Sequence, residues 1–370
     1  MDFELSEEQT MLRDTVRDVL SKAYDVEKLR AVSETERGWS TDVWRSLAEI
    51  GILGLTFAEE DGGMGAGPVE FASVMTEIGR ALAPEPYLDA VLVPGSLIAA
   101  TADDATRAEL LGGLASGELL MAFAHHEAGD RWPGAAVQAS VADGKLTGTK
   151  SLVPQGNIAD KLVVSARENG ELGLYLVDAD AEGVTRTAYR THDRRRGAQI
   201  EFTDAPATRL GSGDAAGVIA DAEVGIQTAL CAEAVGAMER ALDLTVEYLK
   251  TRKQFGVTLS VFQALTHRAA DVYVQVELAR SMSQYATTAL ADGITDPIIA
   301  SRAKLQICRS GRIVGQEAIQ MHGGIGMTAE YPVGHYTSRL TAISHTLGDG
   351  NDHLSKLSAN VDTYDLVNLT

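Results

Sequence analysis

Arg252-Lys253-Gln254-Phe255-Gly256, followed by Phe262-Gln263-Ala264 and later by Gln320-Met321-His322-Gly323-Gly324-Ile325-Gly326, is the stretch that decides how this chain reads. Three short motifs stand in fixed order on segments with helical periodicity. They offer a cation for a phosphate, amides for hydrogen bonds, and glycines that let backbone approach a ligand closely. Those are the needs of a bound dinucleotide. Each motif alone has a plain structural alternative. An arginine at a helix end gains from the helix dipole without any ligand, and a Gly-Gly pair commonly just ends a helix.

Around the motifs the helical pattern is strong. Leu230, Ala234, Ala237, Ala241, Leu244 and Tyr248 step by four and three, as do Phe262, Leu265, Ala269, Val272, Val276 and Ala279. The spacing predicts two long helices joined near Gly256, then two more through about 320 and 355, forming an antiparallel bundle over residues 218–370. Upstream, over 119–217, the texture is β-rich. Leu119–Ala124, Val137–Val141, Lys161–Ala166, Leu172–Val177 and Ala198–Phe202 are short runs separated by turn residues. Asp143-Gly144 predicts a two-residue hairpin turn. Residues 1–118 read as helical again. Ser6 with Gln9 forms a capping-box pattern, and Leu12, Val16, Val19 and Leu20 mark one face. Ser40 or Thr41 caps a helix that buries Val43, Leu47 and Ile50, and a further helix is expected from Pro68 to Arg80. The expected fold class is therefore mainly α with a central β domain.

At 370 residues the chain exceeds one ordinary core. Its net charge of −20 provides no basic stripe and argues against nucleic acid as a partner. Arg194-Arg195-Arg196 is a local exception, read either as a solvated loop or as a phosphate contact. Cys231 and Cys308 lack metal-like spacing and read as reduced core thiols. His125-His126 finds no third ligand in the sequence, so no metal is expected. Met1-Asp2-Phe3-Glu4 shows no signal-peptide pattern, and no apolar run suits a bilayer. A cytoplasmic protein with no membrane partner is expected.

The ordered motifs resemble the C-terminal half of the flavin-dependent acyl-CoA dehydrogenases, and the likeness extends over essentially the whole chain. The resemblance implies the acyl-CoA dehydrogenase fold: a helical bundle, a small β-barrel or sandwich, and a four-helix bundle. It implies FAD as cofactor, an acyl-CoA thioester as substrate, and electron-transferring flavoprotein as acceptor. In the family, an Arg-x-x-Phe-Gly segment reaches across a subunit interface to the flavin dinucleotide's pyrophosphate. Arg252, Lys253, Gln254 and Phe255 take those places here, and Phe262 and Gln263 match a second contact pair. Gln320, Gly323 and Gly324 match the segment that borders the adenine side.

The reaction implied is α,β-dehydrogenation, in which a carboxylate removes the α-proton and the β-hydrogen leaves as hydride to the flavin. At the base position the chain has Asp349, in Gly348-Asp349-Gly350-Asn351-Asp352-His353, where the family has glutamate. Aspartate is one methylene shorter, and a displacement of about 1 Å can cost roughly a hundredfold in rate. At the family's alternative base position stands Ile226, with Glu223 one turn earlier, Glu233 about two turns later, and Gln227 in place of a usual arginine. Glu233 reads as a helix-face carboxylate. The flavin-lining Thr-Glu-Pro-x-x-Gly-Ser-Asp becomes Ala124-His125-His126-Glu127-Ala128-Gly129-Asp130, and Trp-Ile-Thr becomes Leu152-Val153-Pro154.

Tail motifs kept beside an altered ring site are similar to the small subunits of heteromeric bacterial acyl-CoA dehydrogenases, of the kind labelled pimeloyl-CoA dehydrogenase small subunit. The resemblance implies an α2β2 heterotetramer of lipid or sterol catabolism, in which a second acyl-CoA dehydrogenase subunit carries ring and base. Two alternatives stay open: a self-sufficient homotetramer using Asp349, and a non-catalytic CoA- or flavin-binding relative.

Overall fold

The structure, a computed structural model, describes residues 5–129, 132 and 136–363. The N-terminal Met1-Asp2-Phe3-Glu4 and Asp130 of the flavin-lining segment lie outside the described residues.

The chain opens with six α-helices: α1 (Glu7–Ala23), α2 (Val26–Ser33), α3 (Thr41–Glu49), α4 (Pro68–Ala81), α5 (Val93–Thr101) and α6 (Asp104–Ser116). The Ser6 hydroxyl accepts from the Gln9 amide at 3.1 Å and the Gln9 side chain accepts from the Ser6 amide at 2.9 Å, so the capping box forms as read. Val16 and Leu20 are buried on that helix; Ser40 caps α3, whose Val43, Trp44 and Leu47 are buried. After Pro84 and Pro86 the backbone makes a wide π-type turn over Tyr87–Leu92 before α5.

Eight strands follow: β1 (Met121–Ala124), β2 (Ser140–Ala142), β3 (Lys145–Pro154), β4 (Lys161–Glu168), β5 (Glu171–Asp178), β6 (Val184–Arg190), β7 (Arg196–Pro206) and β8 (Thr208–Leu210). They form one mixed sheet in the order β6-β7-β3-β2-β4-β5-β8, with β1 pairing parallel to β4. Asp143 and Gly144 take φ of 52° and 71° and turn β2 into β3. The pattern reading gives no run for β3, β6 or β8, and only the Asp143-Gly144 turn implies β3. Strand β6 pairs only with β7 and is polar and largely exposed, so it carries little apolar alternation.

The last part begins with α7 (Ala216–Thr251), 36 residues long. A hairpin of β9 (Lys253–Gln254) and β10 (Val257–Thr258) leads into α8 (Gln263–Ala291). Then come α9 (Pro297–His322), α10 (Val333–His345) and α11 (Gly350–Ala359). Three helices thus follow α8, where the periodicity predicts two. A 3₁₀ turn at Gly323–Met327 interrupts the apolar pattern and sets α10 apart. Helices α4 and α7 touch backbone to backbone. A β-carbon on Gly79 would lie 1.9 Å from the Glu233 carbonyl oxygen, and one on Gly236 would lie 1.9 Å from that of Thr76. Only glycine fits at either place.

One buried ionic cluster ties the middle and last parts, and its Arg195 also reaches the Ala83 carbonyl of the first at 3.4 Å. Glu233 on α7 accepts two bonds from Arg339 on α10, both 2.7 Å, and one from Arg195 at 2.8 Å. Arg339 also donates to Asp193 at 2.9 Å. Burial works against the Glu233 carboxylate, yet Arg195 and Arg339 hold it below the usual carboxylate range. Glu233 is therefore a buried structural anchor, not a helix-face carboxylate. The arginine run is spent likewise. Arg196 donates to the carbonyls of Ser33 at 2.7 Å, Thr35 at 2.6 Å and Glu36 at 3.2 Å. Arg195 and Arg196 are internal fasteners, contrary to both readings of the cluster.

Candidate functional site

The first site element is built at one end of the helical bundle. α7 ends where Arg252 turns to extended backbone. Lys253 and Gln254 pair with Thr258 and Val257, leaving Phe255-Gly256 as a two-residue turn with φ of 55° and 81°. Gly256 takes this turn at no cost, whereas Phe255 in left-handed backbone is a strained outlier of the kind that clusters at functional positions. Phe255 is 90% exposed and its one described ring neighbour is Phe262, edge-on at 6.1 Å. Arg252, Lys253, Gln254 and Gln263 are exposed too, and Phe262 is half-buried.

The second motif surfaces at the same end. Gln320 is exposed on the last turn of α9, and Gly323, with φ of 65°, stops that helix before exposed Gly324. Tyr248, one turn before Arg252, packs on His322 at 4.5 Å, and Tyr331 closes the trio at 4.8 Å from His322. That aromatic stitch brings the two motifs together.

Asp349 behaves differently. Its carboxylate caps α11, accepting from the amides of Asn351 at 2.7 Å and Asp352 at 3.0 Å, while the Asp352 carboxylate accepts from the Asp349 amide at 2.9 Å. The turn before it rests on Lys304. This fully buried ammonium donates to the carbonyls of Ile343 (2.7 Å), Thr346 (2.9 Å) and Gly348 (3.2 Å).

Between this turn, α7 and α11 lies a narrow crevice holding Trp132. Its indole N–H donates to Glu223 at 3.2 Å. Its ring centroid sits 4.4 Å from that of His353 and 4.8 Å from the Lys356 ammonium. Burial raises the Glu223 pKa, opposed by the Trp132 hydrogen bond and Lys356. Burial pushes His353 down to about 4, helped by the positive charge of Lys304.

On the sheet, Lys150 is fully buried and donates to Glu127 at 2.8 Å, to the His125 carbonyl at 3.0 Å and to Ser165 at 3.2 Å. His125 and His126 follow the end of β1 and so do not alternate across a strand. Their rings meet edge-on at 5.5 Å, and His125 Nδ1 lies 2.8 Å from the Ser165 hydroxyl. Leu152 stands at a bulge in β3 with φ of 53° and is 63% exposed. Pro154 has no N–H to donate.

Two family models match: the acyl-CoA dehydrogenase N-terminal domain over residues 6–118 and the acyl-CoA dehydrogenase C-terminal domain over 227–360. The acyl-CoA dehydrogenase IpdE2 of Mycobacterium tuberculosis is 33% identical, covering 96% of this chain and 98% of that protein. The chain belongs to the acyl-CoA dehydrogenase family. Among solved structures of similar shape, a steroid ACAD variant, Tcur3481-Tcur3483, is 33% identical with a TM-score of 0.88, covering 96% of this chain and 98% of that one. The ChsE4-ChsE5 complex from Mycobacterium tuberculosis is 27% identical with a TM-score of 0.90, covering 99% of this chain and 100% of that one. In this acyl-CoA dehydrogenase chain, sequence reading passes over two residues. Lys150 carries a usable signal, since it shares parity with buried Leu146 on β3 and a lysine at a core position demands a partner. Trp132 sits between strands where no periodicity applies, and its crevice partners are remote in sequence.

Among the described residues, no group of three or more His, Cys, Asp or Glu gathers as a metal site, and no helix is long and apolar enough to cross a membrane.

Proposed function

We propose that this chain is the β-type subunit of an α2β2 acyl-CoA dehydrogenase, holding the diphosphate and adenine end of FAD while its partner subunit holds the flavin ring and carries the base. One observation carries the reading. Phe255 stands almost wholly exposed on a strained turn beside Arg252, at the end where Gln320 and Gly323-Gly324 also surface. An aromatic held on strained backbone beside a cation and turned away from its own chain supports a binding role against another one.

The residues fit the cofactor's tail and not its ring. Arg252 and Lys253 supply positive charge for phosphates, Gln254, Gln263 and Gln320 supply amides, and Gly323-Gly324 allows close backbone approach. Leu152 and Pro154 replace a stacking ring and a hydroxyl donor, and the Asp349 carboxylate is engaged as a helix cap. When bound, FAD would supply the hydride acceptor for the β-carbon of the acyl thioester. This chain's part is to bind and orient the cofactor. The relatives named for steroid substrates and for the ChsE4-ChsE5 complex support a sterol- or lipid-derived acyl-CoA and a heterotetramer, with electron-transferring flavoprotein as acceptor.

Native mass spectrometry with a visible spectrum tests this, on the chain alone and co-expressed with an acyl-CoA dehydrogenase partner. The expected result is a colourless chain alone and one flavin per heterodimer. A yellow homotetramer that oxidises an acyl-CoA would overturn it and make Asp349 the base.

A further inference from the structure

We infer that Trp132 is a specificity-determining residue whose indole fills this chain's own crevice beneath the Asp349 turn and excludes an acyl thioester from it. The inference rests on the shared-site reading above, because it places the working acyl pocket in the partner.

The crevice is held from three sides by different properties of one ring. Glu223 on α7 takes the indole hydrogen at 3.2 Å. The ring packs against Gly348, where a β-carbon would come within 2.4 Å of Trp132 Cε3. On α11, His353 packs on the ring at 4.4 Å and the Lys356 ammonium stands 4.8 Å from its centre. Trp132 is 92% buried as a result, with relative exposure of 8%. A thioester whose α-carbon is to reach a carboxylate at Asp349 or Glu223 must come within hydrogen-bond range of it, about 3 Å. The indole already stands in that range of Glu223 and in van der Waals contact with the residue before Asp349.

A second observation is independent of the ring's contacts. The imidazole of His353, which packs on the ring, leaves both its buried nitrogens without a hydrogen-bond partner among the described residues, and so does Oε1 of Gln227, one turn along α7 from Glu223. Buried polar atoms are nearly always paired, so orphans call for an explanation. A wall lined for a hydrogen-bonding occupant and filled instead by an indole with a single N–H leaves orphans of this kind.

The test is isothermal titration of the full-length chain with octanoyl-CoA. Wild type is expected to give no binding heat. Trp132→Ala is expected to bind one octanoyl-CoA per chain, at least about tenfold more tightly than wild type, and Trp132→Phe is expected to stay closed. Absence of any gain in Trp132→Ala overturns the inference. Should that variant fail to fold, fluorine NMR of 5-fluorotryptophan wild type decides. The chain has three tryptophans, and Trp132→Phe assigns the relevant resonance. An unmoved Trp132 resonance in excess octanoyl-CoA supports the inference, and a shift overturns it. Colour is read separately. A yellow chain that binds octanoyl-CoA would sink both readings, whereas a colourless chain whose Trp132→Ala variant gains no binding would sink this one alone.

Discussion

The turn at Arg252–Gly256 and the turn at Gly348–Asp349 lie in the same helical part and carry motifs of similar promise, yet they end in opposite states. The first exposes a phenylalanine and a cation on strained backbone, with the neighbouring glutamine and glycines also open. The second is closed on itself: its carboxylate caps a helix, its carbonyls are taken by Lys304 and its glycine is covered by Trp132. On the proposed reading, the outward turn on strained backbone is kept for something outside the chain, and the turn whose groups are satisfied internally serves as structure.

Breaking the frame that holds both turns should have the largest effect. Glu233→Gln leaves Arg195 and Arg339 buried with one partner neutralised. The expected loss is about 3–5 kcal/mol, or failure to fold, measured by urea unfolding. The closed turn should also respond to pH. His353 has its pKa held near 4 in the fold against 6.5 as the ordinary value, so the unfolded chain binds the proton first as pH falls. Stability should be full above pH 6.5 and decline progressively towards pH 4, by on the order of 3 kcal/mol. The difference between wild-type and His353→Leu unfolding curves across that range isolates the effect. A flat difference would mean the imidazole is not held neutral.

The open turn predicts a split between folding and binding. Arg252→Ala should lower flavin affinity of the assembled complex by about 2 kcal/mol, read as flavin retained per heterodimer on dilution. The melting temperature of the isolated chain should not change. Asp349→Ala sharpens the contrast from the other side. Loss of a helix cap costs about 1 kcal/mol, with turnover of the complex within about threefold of wild type. A drop of a hundredfold or more would return Asp349 to proton abstraction. Smallest of all, Phe255→Ser should alter the chain's own stability by less than about 0.5 kcal/mol while weakening assembly, as mass photometry would show.

Much of the fold was legible because its signals are local. The Ser6–Gln9 box, the Ser40 cap and the Asp143-Gly144 turn each close within four residues. The placement of the Arg252–Gly256 and Gln320–Gly324 segments was legible because they lie near helix ends that periodicity locates. What escaped was non-local. Arg195 and Arg196 find partners 38 to 163 residues away, and nothing in a basic triplet distinguishes a solvated loop from an internal fastener. Glu233 was misread for the same reason. Residue type placed Asp349 at the family's base position, but only the amides of Asn351 and Asp352 show how its oxygens are used.

The reciprocal contact of Gly79 and Gly236 has a consequence for how the protein can be taken apart. Where two helices meet carbonyl against α-carbon, no intervening side-chain layer exists that a substitute surface or solvent could replace. The first 118 residues and the last 150 or so are thus not interchangeable modules. A recombinant that joins the first part of one relative to the last part of another would have to inherit both glycines in register. A fragment ending after α6 would leave α4 with a groove shaped to a backbone that is no longer there.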